Sequence, residues 1–246
     1  MKKILYSVLS VFLLCLGSAC ERDDYEFRAT ANITVVNAGA GIGAIKVNPG
    51  AGSGFAYSKA LDLANYASGV YGAFTGSNTI TVVKSLDTNA KLFQRTIDLK
   101  PISTLYISGT TTAIDTMFRV ESNFPYINSS AVNAEAAMYI RFVNLSPNSV
   151  NVNIRIAAAT TNEVTALPYK GISEFKKYAA PTTPATPAGI TFEIRNATNT
   201  ATLGTAVVNY NNTRYKTASI IFRGLLVEPP ATISPFPVGT FQVNYN

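Results

Sequence analysis

Apolar and polar positions alternate along much of the chain. Val150, Val152, Ile154 and Ile156 are separated by Asn151, Asn153 and Arg155, and Ile190, Phe192 and Ile194 by Thr191 and Glu193. A period of two puts one face of a strand in a core and the other in water. Short segments of this kind, divided by Gly, Pro and Asn turns and numbering roughly seven per hundred residues, predict sandwiches of antiparallel sheets. The expected fold class is all-β. Near the end, Leu225 to Glu228 reads as a further strand, and Pro229, Pro230, Pro235 and Pro237 interrupt the chain. Alternation resumes at Thr240-Phe241-Gln242-Val243, predicting a last strand that returns to the final sandwich.

The pattern also repeats. Ile33-Thr34-Val35-Val36-Asn37 reads against Ile140-Arg141-Phe142-Val143-Asn144, and Thr79-Ile80-Thr81-Val82 against Gly189-Ile190-Thr191-Phe192. Leu105-Tyr106-Ile107-Ser108-Gly109 reads against Ile220-Ile221-Phe222-Arg223-Gly224. Between these, Tyr57, Ala60, Leu63 and Tyr66 match Tyr169, Ile172, Phe175 and Tyr178, the tyrosines nine residues apart in each copy. The order is kept while the offset drifts, as insertions in loops produce, so two copies of one domain are expected. In the tyrosine-to-tyrosine segment apolar residues fall at steps of three. Asp62 and Glu174 share a repeat position there, and an acid near the first turn of a helix is favoured by its exposed N–H groups. A short helical crossover is predicted.

These strands, together with Leu145-Ser146-Pro147-Asn148 and Leu167-Pro168-Tyr169-Lys170-Gly171-Ile172-Ser173, resemble the repeat called domain of unknown function 4397, found in exported bacterial proteins. The resemblance covers most of 136–226 and, more loosely, 30–120, where Gly39-Ala40-Gly41-Ile42 replaces the Ser-Pro-rich turn. It implies two tandem immunoglobulin-like antiparallel β-sandwiches in a surface or secreted protein with no established activity. The expected organisation is a signal peptide over 1–19, an acidic tether over 20–29, repeat 1 over 30–121, a polar linker over 122–136 and repeat 2 over 137–246.

The leader supplies the address. Lys2 and Lys3 precede an uncharged run from Ile4 to Leu16 that ends in Gly17, Ser18 and Ala19, the pattern of a secretory signal peptide. The run is shorter than the roughly 20 residues that span a bilayer. Small residues followed by Cys20 resemble the lipobox of bacterial lipoproteins, in which the cysteine sulfur is diacylglycerylated and the freed amine acylated. Gly17 departs from the leucine usual at its position, and Gly17 with Ala19 also suits an ordinary signal peptidase, which would leave a soluble exported protein. Lipid chains contribute about 0.8 kcal/mol per buried methylene, and two or more anchor stably. The acids Glu21, Asp23, Asp24 and Glu26 after the cysteine resemble the export tag that sends lipoproteins of some Gram-negative gut anaerobes to the outer face of the outer membrane. A solvated tether is the alternative reading.

Composition removes most chemistry. The net charge is +6, falling to +4 when Lys2 and Lys3 leave with the leader, and the densest basic cluster is Lys176-Lys177, so no nucleic-acid partner is expected. There is no histidine, which removes the commonest general base and imidazole metal ligand. Gly39-Ala40-Gly41-Ile42-Gly43-Ala44 fits a loose dinucleotide fingerprint, but Ile45-Lys46-Val47 alternates where a helix is required. A glycine-rich hairpin turn is expected instead, with no cofactor and no metal. Carboxylates are spread out, and Asp62 and Glu174, the pair that recurs, are read as helix caps, leaving a glycosidase as a remote alternative. Expected partners are the membrane, through the lipid, and a glycan or surface protein.

The candidate ligand-binding residues are Tyr57, Tyr66, Tyr169 and Tyr178, among 13 tyrosines and no tryptophan, although recurrence in both copies also fits packing. Asp115-Thr116-Met117 resembles the triplet at which such anaerobes O-glycosylate exported proteins, making Thr116 a candidate modification site. The function expected is a non-catalytic cell-surface lipoprotein acting as scaffold or adhesion or glycan-associated binding module. The alternative is a fimbrial subunit assembled by strand exchange after cleavage at Arg28.

Overall fold

The computed structural model describes residues 29–50, 52–129, 135–182, 188–226 and 234–245. Cys20, Glu21, Asp23, Asp24, Glu26 and Arg28 lie outside the described residues. So do much of Leu225 to Glu228 and the prolines at 229 and 230.

The chain is all-β and forms two sandwiches. The first holds β1 (Thr30–Asn37), β2 (Ile45–Asn48), β3 (Ala67–Phe74), β4 (Gly76–Lys84), β5 (Lys91–Leu99), β6 (Ile102–Gly109) and β7 (Ile114–Val120). The second holds β8 (Ala137–Asn144), β9 (Val152–Ile156), β10 (Val164–Leu167), β11 (Lys176–Ala179), β12 (Gly189–Asn196), β13 (Thr202–Asn209), the single helical turn α1 (Tyr210–Thr213), β14 (Thr217–Arg223) and β15 (Gly239–Tyr245). Each sandwich packs two sheets, β3-β1-β6-β7 on β2-β4-β5 and β11-β8-β14-β15 on β10-β9-β12-β13. The two topologies are the same apart from the extra strand β10. β15 pairs antiparallel with β14, as the resumed alternation predicts.

The sheets are not purely antiparallel. β1 runs parallel to β6, and β8 parallel to β14, in matching register: Thr34 stands beside Thr104 where Arg141 stands beside Ser219. A parallel neighbour requires a long crossover, and here the intervening strands of each sandwich provide it.

Three expectations are corrected. The glycine-rich turn after β1 is not a hairpin, because β2 pairs with β4 in the opposite sheet. The helical crossover is absent: the first copy has only a 3-10 turn at Tyr57–Lys59, and the second runs through turns into β11. Backbone groups that a helix would need are used by the neighbouring strand, since Lys170 N–H donates to Asn144 O (2.7 Å) and Ser173 N–H to Phe142 O (2.9 Å). Asp62 and Glu174 therefore cap nothing; Asp62 instead accepts from Ser85 Oγ at 2.6 Å.

The tyrosine match is also out of register. Asn37 and Asn144, equivalent at the ends of β1 and β8, use their side-chain amides to hold Leu63 O (3.5 Å) and Leu167 O (3.2 Å). Tyr66 N–H donates to Asn37 O as Lys170 N–H does to Asn144 O, and both donors sit at φ 60°. Leu63 thus corresponds to Leu167, and Tyr66 to Lys170.

The sandwiches are not separate beads. Along β1, Ile33 and Val35 enter the first core while Val36 enters a different cluster with Tyr106, Val143, Leu145, Ile221, Val243 and Tyr245. In the second sandwich Ile140, Phe142 and Ile220 face their own core, and Val143 and Ile221 face that shared cluster. The sheets β3-β1-β6-β7 and β11-β8-β14-β15 are therefore packed face to face, making four stacked layers with the inner two buried on both sides. Phe124, from the segment expected to be a polar linker, belongs to this junction.

Candidate ligand-binding site

The four tyrosines do not share a site. Tyr178 packs edge-on against Phe192 (5.3 Å) in the second core, and its hydroxyl donates to Glu163 Oε2 (2.9 Å). Tyr66 lies at the junction, with the guanidinium of Arg223 3.6 Å from its ring centre. Tyr169 lies at the junction too, donating to Asp115 Oδ2 (3.0 Å) with its oxygen 2.8 Å from Ser108 Oγ, while Lys170 Nζ reaches Asp115 Oδ1 at 2.9 Å. Ser108 and Arg223 are equivalent strand-end positions. One copy's turn at Tyr66 grips the other at Arg223, and the reciprocal turn at Tyr169-Lys170 grips Ser108 and Asp115. This is the self-complementary pattern of a two-fold interface, built here within one chain.

These surroundings shift ionisation at Tyr169 and Tyr178. Burial pushes the Tyr169 hydroxyl up, and adjacent Asp115 adds to this against the Ser108 hydrogen bond, giving about 12. Tyr178 is also raised, by burial first and then by Glu163. Below the ordinary tyrosine value of 10 both folded and unfolded forms are neutral; above it the unfolded chain releases protons that the folded chain retains. Stability is expected to fall as pH rises from about 10 to 12, and urea titrations across that window should show a smaller fall for Tyr169→Phe.

Tyr57 is different. It sits on the 3-10 turn that crosses the outer, solvent-facing side of the β2-β4-β5 sheet, with Phe55 packed edge-on against it at 5.0 Å. Lys46 Nζ donates to Tyr57 O at 2.9 Å and pins the turn to β2. Burial raises the Tyr57 hydroxyl, opposed by hydrogen bonds with Asn48 and Thr81. Asn48 also shapes the preceding loop, accepting from Gly50 N–H (3.0 Å) and donating to Gly52 O (3.2 Å). The result is a cleft of about 600 Å³ bounded by Asn48, Phe55, Tyr57, Asn78, Thr79, Thr81 and Gln94, with Lys91 at its end. Among the described residues no carboxylate lines the cleft, and Lys91 Nζ donates to Gln94 Oε1 at 2.7 Å. Threonine and amide side chains both donate and accept, so two aromatic rings meet a field of neutral hydrogen-bonding groups.

The second sandwich differs on this face. Its corresponding outer face carries a cluster in which Glu193 Oε2 accepts from Arg155 Nε and Arg195 Nη1, both at 2.9 Å. Because the tyrosine match was out of register, Tyr57 is not a repeated residue, and recurrence no longer favours a packing role for it. Sequence reading missed Asn48, Phe55, Asn78, Thr81, Lys91 and Gln94. Alternation marks Thr79 and Thr81 as outward, but only the strand register puts Gln94 across from Thr81.

The other candidate residues lie elsewhere. Thr116 is half-buried on the edge strand β7, its hydroxyl accepting from Arg95 Nη1 at 3.3 Å. Glu163 and Glu174 border a hollow of about 300 Å³ beside Tyr178. Burial alone would raise the Glu163 carboxyl, but hydrogen bonds from Lys176 and Tyr178 outweigh it and hold the group low. A general acid needs the reverse. Among the described residues no cluster of three or more acidic, histidine or cysteine side chains could hold a metal ion. No family model matches the chain, and no curated protein is significantly similar to it.

Proposed function

We propose that this chain is an exported, lipid-anchored, non-catalytic surface protein that binds a neutral carbohydrate on the outer face of its first sandwich, the second sandwich serving as a pedestal. The observation that carries this reading is the cleft over β2-β4-β5, whose lining combines two aromatic rings with neutral hydrogen-bonding side chains. Sugars present apolar ring faces and many hydroxyls; Phe55 and Tyr57 suit the first, and Asn48, Asn78, Thr79, Thr81 and Gln94 the second. The leader that ends just before Cys20 supports the anchor, and the lack of histidine supports a binding rather than a catalytic role.

A glycan array probed with the mature protein should retain a neutral oligosaccharide. Tyr57→Ala should weaken that binding about tenfold, equivalent to about 1.4 kcal/mol, without lowering the melting temperature appreciably. Silence on the array, or an unchanged affinity in the variant, overturns the binding reading. Mass spectrometry of the native protein should find Cys20 acylated; a free sulfhydryl there overturns the anchor.

A further inference from the structure

The cleft does not end at the sheet face. A second hollow of about 400 Å³, bordered by Pro49, Gly72, Ala73 and Phe74, shares Gly50, Gly52 and Asn78 with it. Together they make one groove that starts at Tyr57 and turns over the β3–β4 corner onto the edge strand β3. The corner is held by Asn78 Nδ2, which donates to Phe74 O (2.8 Å) and Gly76 O (2.9 Å) and so ties the start of β4 to the end of β3. Phe74, the last residue of β3, is 49% exposed, although phenylalanine is among the residues most often buried. From Gly76 to Thr81 the floor strand alone covers about 17 Å at roughly 3.4 Å per residue, several sugar rings long.

The two hollows differ in chemistry. The first is rich in amides and hydroxyls, while the second offers Pro49, Ala73 and the Phe74 ring with almost no polar side chain apart from Asn78. Polar groups fix orientation and identity; an apolar ring platform adds affinity for whatever ring follows. Resting on the carbohydrate reading above, we infer that the ligand is an oligosaccharide bound across two subsites, a recognition subsite at Tyr57 and an extension subsite at Phe74, with Asn78 at the bend. Recognition is therefore of a chain rather than a single terminal sugar.

The test uses the full mature protein and two size ladders, β-linked gluco-oligosaccharides and α-linked manno-oligosaccharides of increasing length, measured by calorimetry. For the ladder that binds, affinity should rise at least tenfold between the shortest and the longest members. Phe74→Ala should abolish that increment while leaving the shortest binder unchanged, and Tyr57→Ala should weaken every member. Equal melting temperatures show that both variants are folded. An affinity independent of length, or a Phe74→Ala loss as large for short as for long ligands, overturns the two-subsite inference and leaves the carbohydrate reading standing. Failure of both ladders and of the array overturns the two together.

Discussion

Replacing Arg141 by alanine is expected to destabilise the protein by about 3–5 kcal/mol, the cost of stranding a buried charge. Arg141 is fully buried at the junction of the two sandwiches. Its Nη1 and Nη2 donate to Glu121 Oε2 and Oε1 at 2.8 and 2.6 Å, and Nε donates to Ser219 Oγ at 2.8 Å. Nη2 also reaches the hydroxyls of Tyr106 (2.9 Å) and Tyr245 (3.2 Å), and the guanidinium lies 4.5 Å from the Phe175 ring centre. Burial alone would lower the arginine pKa; the hydrogen bonds and charge of Glu121 more than reverse this, so the group stays ionised. Removing it leaves the Glu121 carboxylate, which is 8% exposed, with Thr104 Oγ1 at 2.9 Å and Arg119 at 3.5 Å as its remaining partners. Chemical denaturation should show the wild type unfolding in one transition and Arg141→Ala in two, because the residue joins the copies. The double replacement Arg141→Met with Glu121→Leu should recover much of the loss, since an apolar pair of similar volume strands no charge. A single alanine variant as stable as wild type would mean that the pair is not buried in solution.

The second large effect is expected at Gly109 and Gly224. Gly109 ends β6 and Gly224 directly follows the equivalent strand β14, at φ +84° and +89°, where a side chain is strained. A Cβ at Gly109 would stand 2.1 Å from Ala113 O, and one at Gly224 2.4 Å from Pro237 O. Both obstacles are backbone carbonyls, and the Ala113 carbonyl is already engaged by Thr110 N–H in the tight turn into β7. Gly109→Ala and Gly224→Ala should each cost about 2 kcal/mol or more from strain alone, read as a lower urea midpoint. Alanine at Gly54, where a Cβ meets nothing within 4 Å, should be close to neutral and serves as the control.

The fold was legible where strands were half wet. Phe192 and Ile194 alternate with Thr191 and Glu193 and are buried as read, although β9 begins at Val152 and leaves Val150 62% exposed. The stacking of the sandwiches was harder to see. Val35-Val36 and Ile220 to Phe222 are short continuous apolar runs, the mark of strands covered on both faces, and such runs can equally be read as repeat signatures. Arg141, between Ile140 and Phe142 in β8, gave no hint of burial, because its partner Glu121 follows the end of β7. The middle of the repeat was misread because two tyrosines happened to share a spacing, whereas what the structure preserves there is Asn37 and Asn144 holding Leu63 and Leu167. The groove was illegible for a related reason. It is assembled from single outward residues on three strands and a loop, and no local pattern records which strands are neighbours.

The placement of β1 bears on how the molecule meets mechanical load. A force applied at the amino-terminal end of β1 would enter at Thr30 and run lengthwise along a strand flanked by β3 on one edge and β6 on the other. Every rung of both ladders then resists sliding at once, instead of peeling one at a time, and the layers pressed above and below add friction. A pull applied there would meet this resistance at the first residue of the strand.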